Sequence, residues 1–151
     1  MAKTIMVVDD EGDIRETLKV ALEKHGYKVI TAVNGDDCLD QLKFLSSKKV
    51  KGIGKPDLIL MDIMMPGTPV KEVVPQIKDI KISYLTVVRK LKAKEEGLLT
   101  PKNVVGFIHK PFDVDFLIEK IEYMLSNIHH LSGYNYQSLV CASCNIQNPE
   151  T

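Results

Sequence analysis

What this chain lacks narrows the field before any motif is read. It has three cysteines in 151 residues, Cys38, Cys141 and Cys144. That count builds no disulfide framework, so reduced thiols and a cytoplasmic location are expected. It has no surplus of either charge, because 20 Lys and Arg balance 20 Asp and Glu. A general nucleic-acid binder carries a basic excess, so direct nucleic-acid binding is not expected. No apolar run reaches the roughly 18 residues that suggest a membrane span, so no membrane insertion is expected. The opening Met1-Ala2-Lys3-Thr4 runs directly into a strand-like segment, without the apolar core or cleavage site of a signal peptide. No internal repeat is present. The length predicts one domain with a tail, able to bury roughly 70% of its unfolded surface without staples.

What is present begins with three aspartates. Asp9 and Asp10 end the apolar run Ile5-Met6-Val7-Val8, and Asp62 ends the run Leu58-Ile59-Leu60-Met61. A short run without a polar face reads as a strand buried on both sides. Carboxylates at the ends of such strands are not core residues, because burying an unpaired charge is too costly. If the two strands are parallel neighbours, the three acids meet at one sheet edge, repel one another and call for a hard cation.

Periodicity extends this reading along the chain. Strands are predicted over Lys3 to Val8, Lys28 to Ala32, Asp57 to Met61, Lys81 to Val87 and Val104 to Ile108. Helices are predicted over Asp13 to Lys24, ended by Gly26, and from Asp36 or Asp37 through Leu45 after an Asn34-Gly35 turn. A lysine-rich loop, Lys48 to Lys55, follows. Val70, Val73, Val74 and Ile77 have helical spacing, but Pro75 lies among them and predicts a short or kinked third helix. Arg89 to Glu96 and Phe112 to Asn127 complete five helices. Alternating strands and helices predict an α/β protein: a doubly wound five-stranded parallel sheet with helices on both faces. In the flavodoxin-like order 2-1-3-4-5, ligands sit beyond the carboxyl ends of the first and third strands, where strand order reverses. Those are the strands that end in the aspartates.

Thr86 closes the fourth strand and Lys110 follows the fifth, so a hydroxyl and an ammonium face the same edge. Acids, a hydroxyl and a lysine suit a phosphoryl group with Mg²⁺. A carboxylate can be the nucleophile and become an aspartyl phosphate, and lysine acts on phosphate as a point charge.

The strings Val7-Val8-Asp9-Asp10-Glu11, Leu60-Met61-Asp62-Ile63-Met64-Met65-Pro66-Gly67, Leu85-Thr86 and Lys110-Pro111-Phe112 resemble, in order, the signatures of two-component response-regulator receiver domains. The resemblance covers roughly residues 3–127 and leaves 128–151 as a tail, so the expected division is a receiver over 1–127 and a tail beyond it. It implies that Asp62 is the phosphoacceptor. It implies Mg²⁺ held by Asp10 directly, by Asp9 through water, by Asp62, and by the backbone carbonyl of Met64. Thr86 resembles the switch hydroxyl, Lys110 the phosphate-binding lysine before a cis proline bond, and Phe107 the aromatic that moves with the threonine. The implied donor is a sensor histidine kinase. The implied output is a protein partner that reads the fourth helix, fifth strand and fifth helix, with dimerisation on phosphorylation left open. The chain is expected to be a stand-alone receiver, a phosphoacceptor switch rather than an enzyme with turnover. A metal-dependent hydrolase with an aspartate nucleophile and an unphosphorylated pseudo-receiver are the rival readings.

Some positions depart from the family. Val87 stands where a small residue usually follows the threonine, and its branched side chain is expected to crowd the site entrance. Met64 and Val88 flank the path of hydrolytic water, and neither orients a water. These three predict a long-lived phosphoaspartate. The tail holds His129-His130 and Cys141-Ala142-Ser143-Cys144, half of a zinc motif whose spacing matches no common finger. Its sequence assigns it no structure.

Overall fold

A computed structural model describes residues 2–47 and 54–126. Five strands form one parallel sheet in the order β2-β1-β3-β4-β5. They are β1 (Thr4–Val8), β2 (Lys28–Ala32), β3 (Leu58–Met61), β4 (Lys81–Thr86) and β5 (Val104–His109). The helices are α1 (Gly12–Lys24), α2 (Gly35–Ser46), α3 (Val70–Val73), α4 (Lys90–Glu95) and α5 (Val114–Leu125). This is the doubly wound flavodoxin-like architecture expected from the strand–helix alternation. Among the described residues, no helix is long and apolar enough to cross a membrane.

Strand pleating splits the apolar residues into two cores. Ile5, Val7, Leu58 and Leu60 face α1 and α5, with Leu18, Leu22, Leu117 and Ile121. Met6, Val8, Ile59 and Met61 face the opposite side, with Cys38, Val70, Val73 and Ala93. Successive residues of β1 and β3 therefore serve different cores, which is why these strands read as unbroken apolar runs.

The element boundaries move in ways that physical chemistry explains. Asn34, not Asp36 or Asp37, caps α2: its side chain accepts from the Asp37 amide at 2.8 Å. Asn caps as well as Asp, and the two acids instead occupy the first turn, where the helix dipole favours them. The α3 segment lasts four residues and passes into a 3₁₀ turn at Val74–Gln76, with Pro75 inside that turn. Asp113 caps α5 through the Asp115 and Phe116 amides, so that helix starts two residues after Phe112. Most of the lysine-rich loop (48–53) and the tail from 127 on, with His129, His130, Cys141 and Cys144, lie outside the described residues.

One irregularity sets the environment of β5. Ile82 pairs with Val104 but Ser83 pairs with Gly106, so Val105 is an extra residue in the ladder. Val104 packs toward the α2–α4 core and Val105 toward the α1–α5 core. The bulge restores alternation so that Phe107 lies beside Tyr84. Gly106 then lies beneath α5, where an added Cβ would press on Met124 Sδ and come within 2.7 Å of Ser83 Oγ. Overpacking of this kind costs about 1–3 kcal/mol. Gly106→Ala is expected to lower stability in that range by chemical denaturation, and Ser83→Ala in the same chain to recover part of the loss. An unchanged midpoint for Gly106→Ala would contradict the packing described.

Candidate functional site

The β1–β3 pairing brings the acids together. Val8 lies opposite Met61 in register, so the next residues, Asp9 and Asp62, leave the sheet side by side. Their backbones remain tied to it: the Asp9 amide donates to Ala32 O at 3.1 Å and the Asp62 amide to Val8 O at 3.0 Å. Asp9 and Asp62 are buried and Asp10 is exposed. One carboxylate oxygen from each of the three can be chosen so that all lie within 4.8 Å of one another. Asp10 makes no cap for α1, whose N-cap is Glu11 without a side-chain cap bond.

Lys110 answers this charge from the far side of the sheet. It follows β5, donates its amide to Thr86 O at 2.8 Å and precedes a cis bond to Pro111. Its Nζ lies 2.6 Å from Asp9 Oδ2 and 3.2 Å from Asp62 Oδ2, with Glu11 Oε1 at 3.7 Å. The lysine is itself buried. Burial alone would lower its pKa, but the hydrogen bond it donates to Asp9 and the charges of Asp62 and Asp9 outweigh this and raise it. Burial raises Asp9, against the lowering pull of Lys110 and the Glu11 amide, and the charge of Asp62 adds to the rise. One ammonium thus faces three carboxylates, leaving negative charge and oxygen donors only. That donor set fits a small hard divalent cation such as Mg²⁺ and offers no soft ligand.

Asp62 is oriented at both oxygens. Oδ1 accepts from the Met64 amide at 3.1 Å and Oδ2 from Lys110. Met64 itself is exposed. Thr86 is fully buried at the end of β4, and its Oγ1 accepts from the Val88 amide at 3.2 Å. Val87 is exposed, while Val88 is half-buried and packs on the α2–α4 core. Phe107 is buried in that same core, edge-to-face with Tyr84 at 6.3 Å between ring centroids.

Four contributors escaped the sequence reading. Arg15 Nη1 donates to the Asp9 carbonyl at 2.7 Å, steadying the turn that carries the acids. Tyr84, the largest fully buried side chain among the described residues, donates to Leu98 O at 2.8 Å and ties β4 to the end of α4. Asp36 accepts from the amide and hydroxyl of Thr68, fastening the loop after Asp62 to α2. Gly67, at φ +91°, permits that close approach. Only Arg15 carried a local signal, one turn into the helix that follows the acids.

A family model for the response regulator receiver domain matches residues 5–122. The chain belongs to this family. Receiver domains are phosphoacceptor switches of two-component systems, and the sheet order and acid cluster here are those of a receiver. The phosphate regulon transcriptional regulatory protein PhoB of Pseudomonas aeruginosa is 35% identical over 131 residues, which is 83% of this chain and 52% of PhoB. The transcriptional regulatory protein ResD of Bacillus subtilis is 34% identical over 139 residues, 87% of this chain and 51% of ResD. The chain spans about half the length of these curated relatives. Among solved structures, the response regulator TrrA of Thermotoga maritima, in complex with Mg²⁺ and BeF, is 36% identical with a TM-score of 0.65. It covers 81% of this chain and 98% of its own. The chemotaxis response regulator CheY4 of Vibrio cholerae is 26% identical with a TM-score of 0.64, covering 82% and 98%.

The raised pKa of Lys110 has a definite sign. The folded receiver holds that proton more tightly than the unfolded chain does. The resulting stability is complete below the ordinary lysine value of 10.5 and is lost as pH rises through the higher folded value. Removing one partner of a buried ion pair costs about 3 kcal/mol. Lys110→Met is therefore expected to destabilise the receiver by about that amount near neutral pH. Its deficit against the parent should close as the pH is taken above 10.5. Parallel stability curves across that window would contradict the role given to Lys110.

Proposed function

We propose that this receiver accepts a phosphoryl group on Asp62 from the phosphohistidine of a sensor histidine kinase and passes the signal to a protein partner. The observation that carries this reading is the placement of Asp62. It is buried, held at both oxygens, and shares Lys110 with Asp9. An Asp62 oxygen forms the new P–O bond as the donor's P–N bond breaks and the imidazole leaves. Lys110 lies where it can pair with a phosphoryl oxygen in place of Asp62 Oδ2. Asp9, Asp10, Asp62 and the Met64 carbonyl are the residues assigned to hold Mg²⁺. When bound, Mg²⁺ neutralises the charge on the phosphoryl oxygens and the acids.

Thr86 and Phe107 are assigned as the switch. Thr86 Oγ1 is satisfied by the Val88 amide in this state. Turning the hydroxyl toward a phosphoryl oxygen gives up that bond and draws the start of the β4–α4 connection with it. Phe107 packs beside Tyr84 on the same face, so a change there reaches the surface of α4, β5 and α5. That surface is assigned to the partner, or to a second copy in a phosphorylation-dependent dimer. Val87 and Leu91 already expose apolar side chains on it. The reading concerns the receiver domain over 1–127 and applies whether output is attached or separate, because the site is the same in both. PhoB and ResD are transcriptional regulators. No nucleic-acid contact is assigned to the receiver itself.

The test is intact mass after incubation with Mg²⁺ and acetyl phosphate. One phosphoryl group per chain is expected, absent in Asp62→Asn and not formed when the metal is chelated beforehand. No adduct would overturn the assignment in favour of a receiver that binds partners unphosphorylated, and continued turnover would favour a hydrolase.

Phosphoryl lifetime is a separate expectation. Met64 is exposed, and Val88 is committed to the core. Neither provides a polar group to orient a water for in-line attack, so slow loss is expected. Met64→Asn is expected to shorten the lifetime, read by the decay of the intact-mass adduct. A half-life of seconds in the parent protein would refute the point.

A further inference from the structure

We infer that the receiver carries a second docking site, for an acidic protein segment with an apolar anchor, at the sheet edge opposite Asp62. A groove of about 440 Å³ lies between the end of α2 and the turn after α3. Leu39 and Leu42 form one wall, half-exposed, and Ile77 and Ile80 form the other. Lys43, Lys55 and Lys78 stand around it, and no acid lines it. Among the described residues none of these lysines has a carboxylate partner.

The neighbouring acids are engaged or turned elsewhere. Asp57 accepts from the Thr4 amide, while Asp40 and Asp79 are exposed and do not line the groove. In a chain of zero net charge this is a segregated positive patch over an apolar floor.

Concavity decides the class of occupant. An apolar floor below a charged rim takes a protruding Leu or Phe flanked by carboxylates, the arrangement of an amphipathic segment in a groove. A flat anionic bilayer meets the rim but does not reach the floor. Position decides the regulation. Lys55 lies three residues before β3 and Asp62 directly follows it, so at least the length of that strand, roughly 13 Å at about 3.3 Å per residue, lies between them. The groove also lies away from α4, β5 and α5. Docking here is constitutive, independent of phosphorylation, and does not rest on the function proposed for Asp62.

The test is fluorescence anisotropy of a short fluorescein-labelled peptide of glutamates and leucines against the full chain. Saturable, salt-sensitive binding is expected, weakened at least about tenfold (roughly 1.4 kcal/mol) in K43E/K78E. It should be unchanged in K19E/K24E on α1 and unchanged by acetyl phosphate with Mg²⁺. Thermal melts check folding, and K43Q/K78Q, expected to weaken binding less, replaces the reversed-charge variant if that variant does not fold. No binding, equal loss in K19E/K24E, or equal affinity for a peptide of glutamates and serines would overturn the proposal. So would preferential binding to anionic phosphatidylserine vesicles.

Discussion

Mutual repulsion of carboxylates at the β1–β3 edge is the constraint on which the rest of this structure depends. Two aspartates are buried side by side with a third at the surface. Buried like charges do not persist without a counter-charge. Lys110 supplies part of it, 2.6 Å from Asp9 and 3.2 Å from Asp62. For the lysine to arrive there, β4 must lie beside β3 and β5 beside β4, so the sheet order is a condition of the site and not only its scaffold. The residual negative charge leaves the site receptive to a divalent cation and, with it, a phosphoryl group.

The second dependence runs outward from the site. Thr86 and Tyr84 alternate along β4 and so share the face that carries α2 to α4. The β5 bulge places Phe107 on that face too. Along that face, tyrosine and phenylalanine form one packed path toward α4, with Tyr84 fastened to Leu98 at its far end. The path is made of packing on one side only; the α1–α5 core is separate. The lysine-rimmed groove at the opposite sheet edge stands apart from that path.

Much of this was legible in the residues. Short apolar runs ending in acids marked β1 and β3, because only strands covered on both faces tolerate them. Pro75 announced the truncated α3, and Gly26 marked the end of α1. Helix caps were less legible: Asn34, Asp36 and Asp37 are all good caps, and only the chain's path selects Asn34. The β5 bulge was invisible, since Val104, Val105 and Gly106 read as an ordinary strand. Arg15, Tyr84 and the Asp36–Thr68 tie were missed because each depends on a partner remote in sequence or on backbone geometry.

By itself, then, the sequence determined the periodic elements, their parallel arrangement and which acids, hydroxyl and lysine end up at one edge. These follow from local alternation and from the cost of burying charge, which act residue by residue. Only the tertiary structure decided how charge is shared among Lys110, Asp9 and Asp62, and which oxygen of Asp62 each donor takes. It also decided that Val88 joins the core while Val87 and Met64 stay exposed, and that three lysines rim one groove. Those outcomes depend on distances between strands and helices far apart in the chain, and such distances exist only once the sheet has closed.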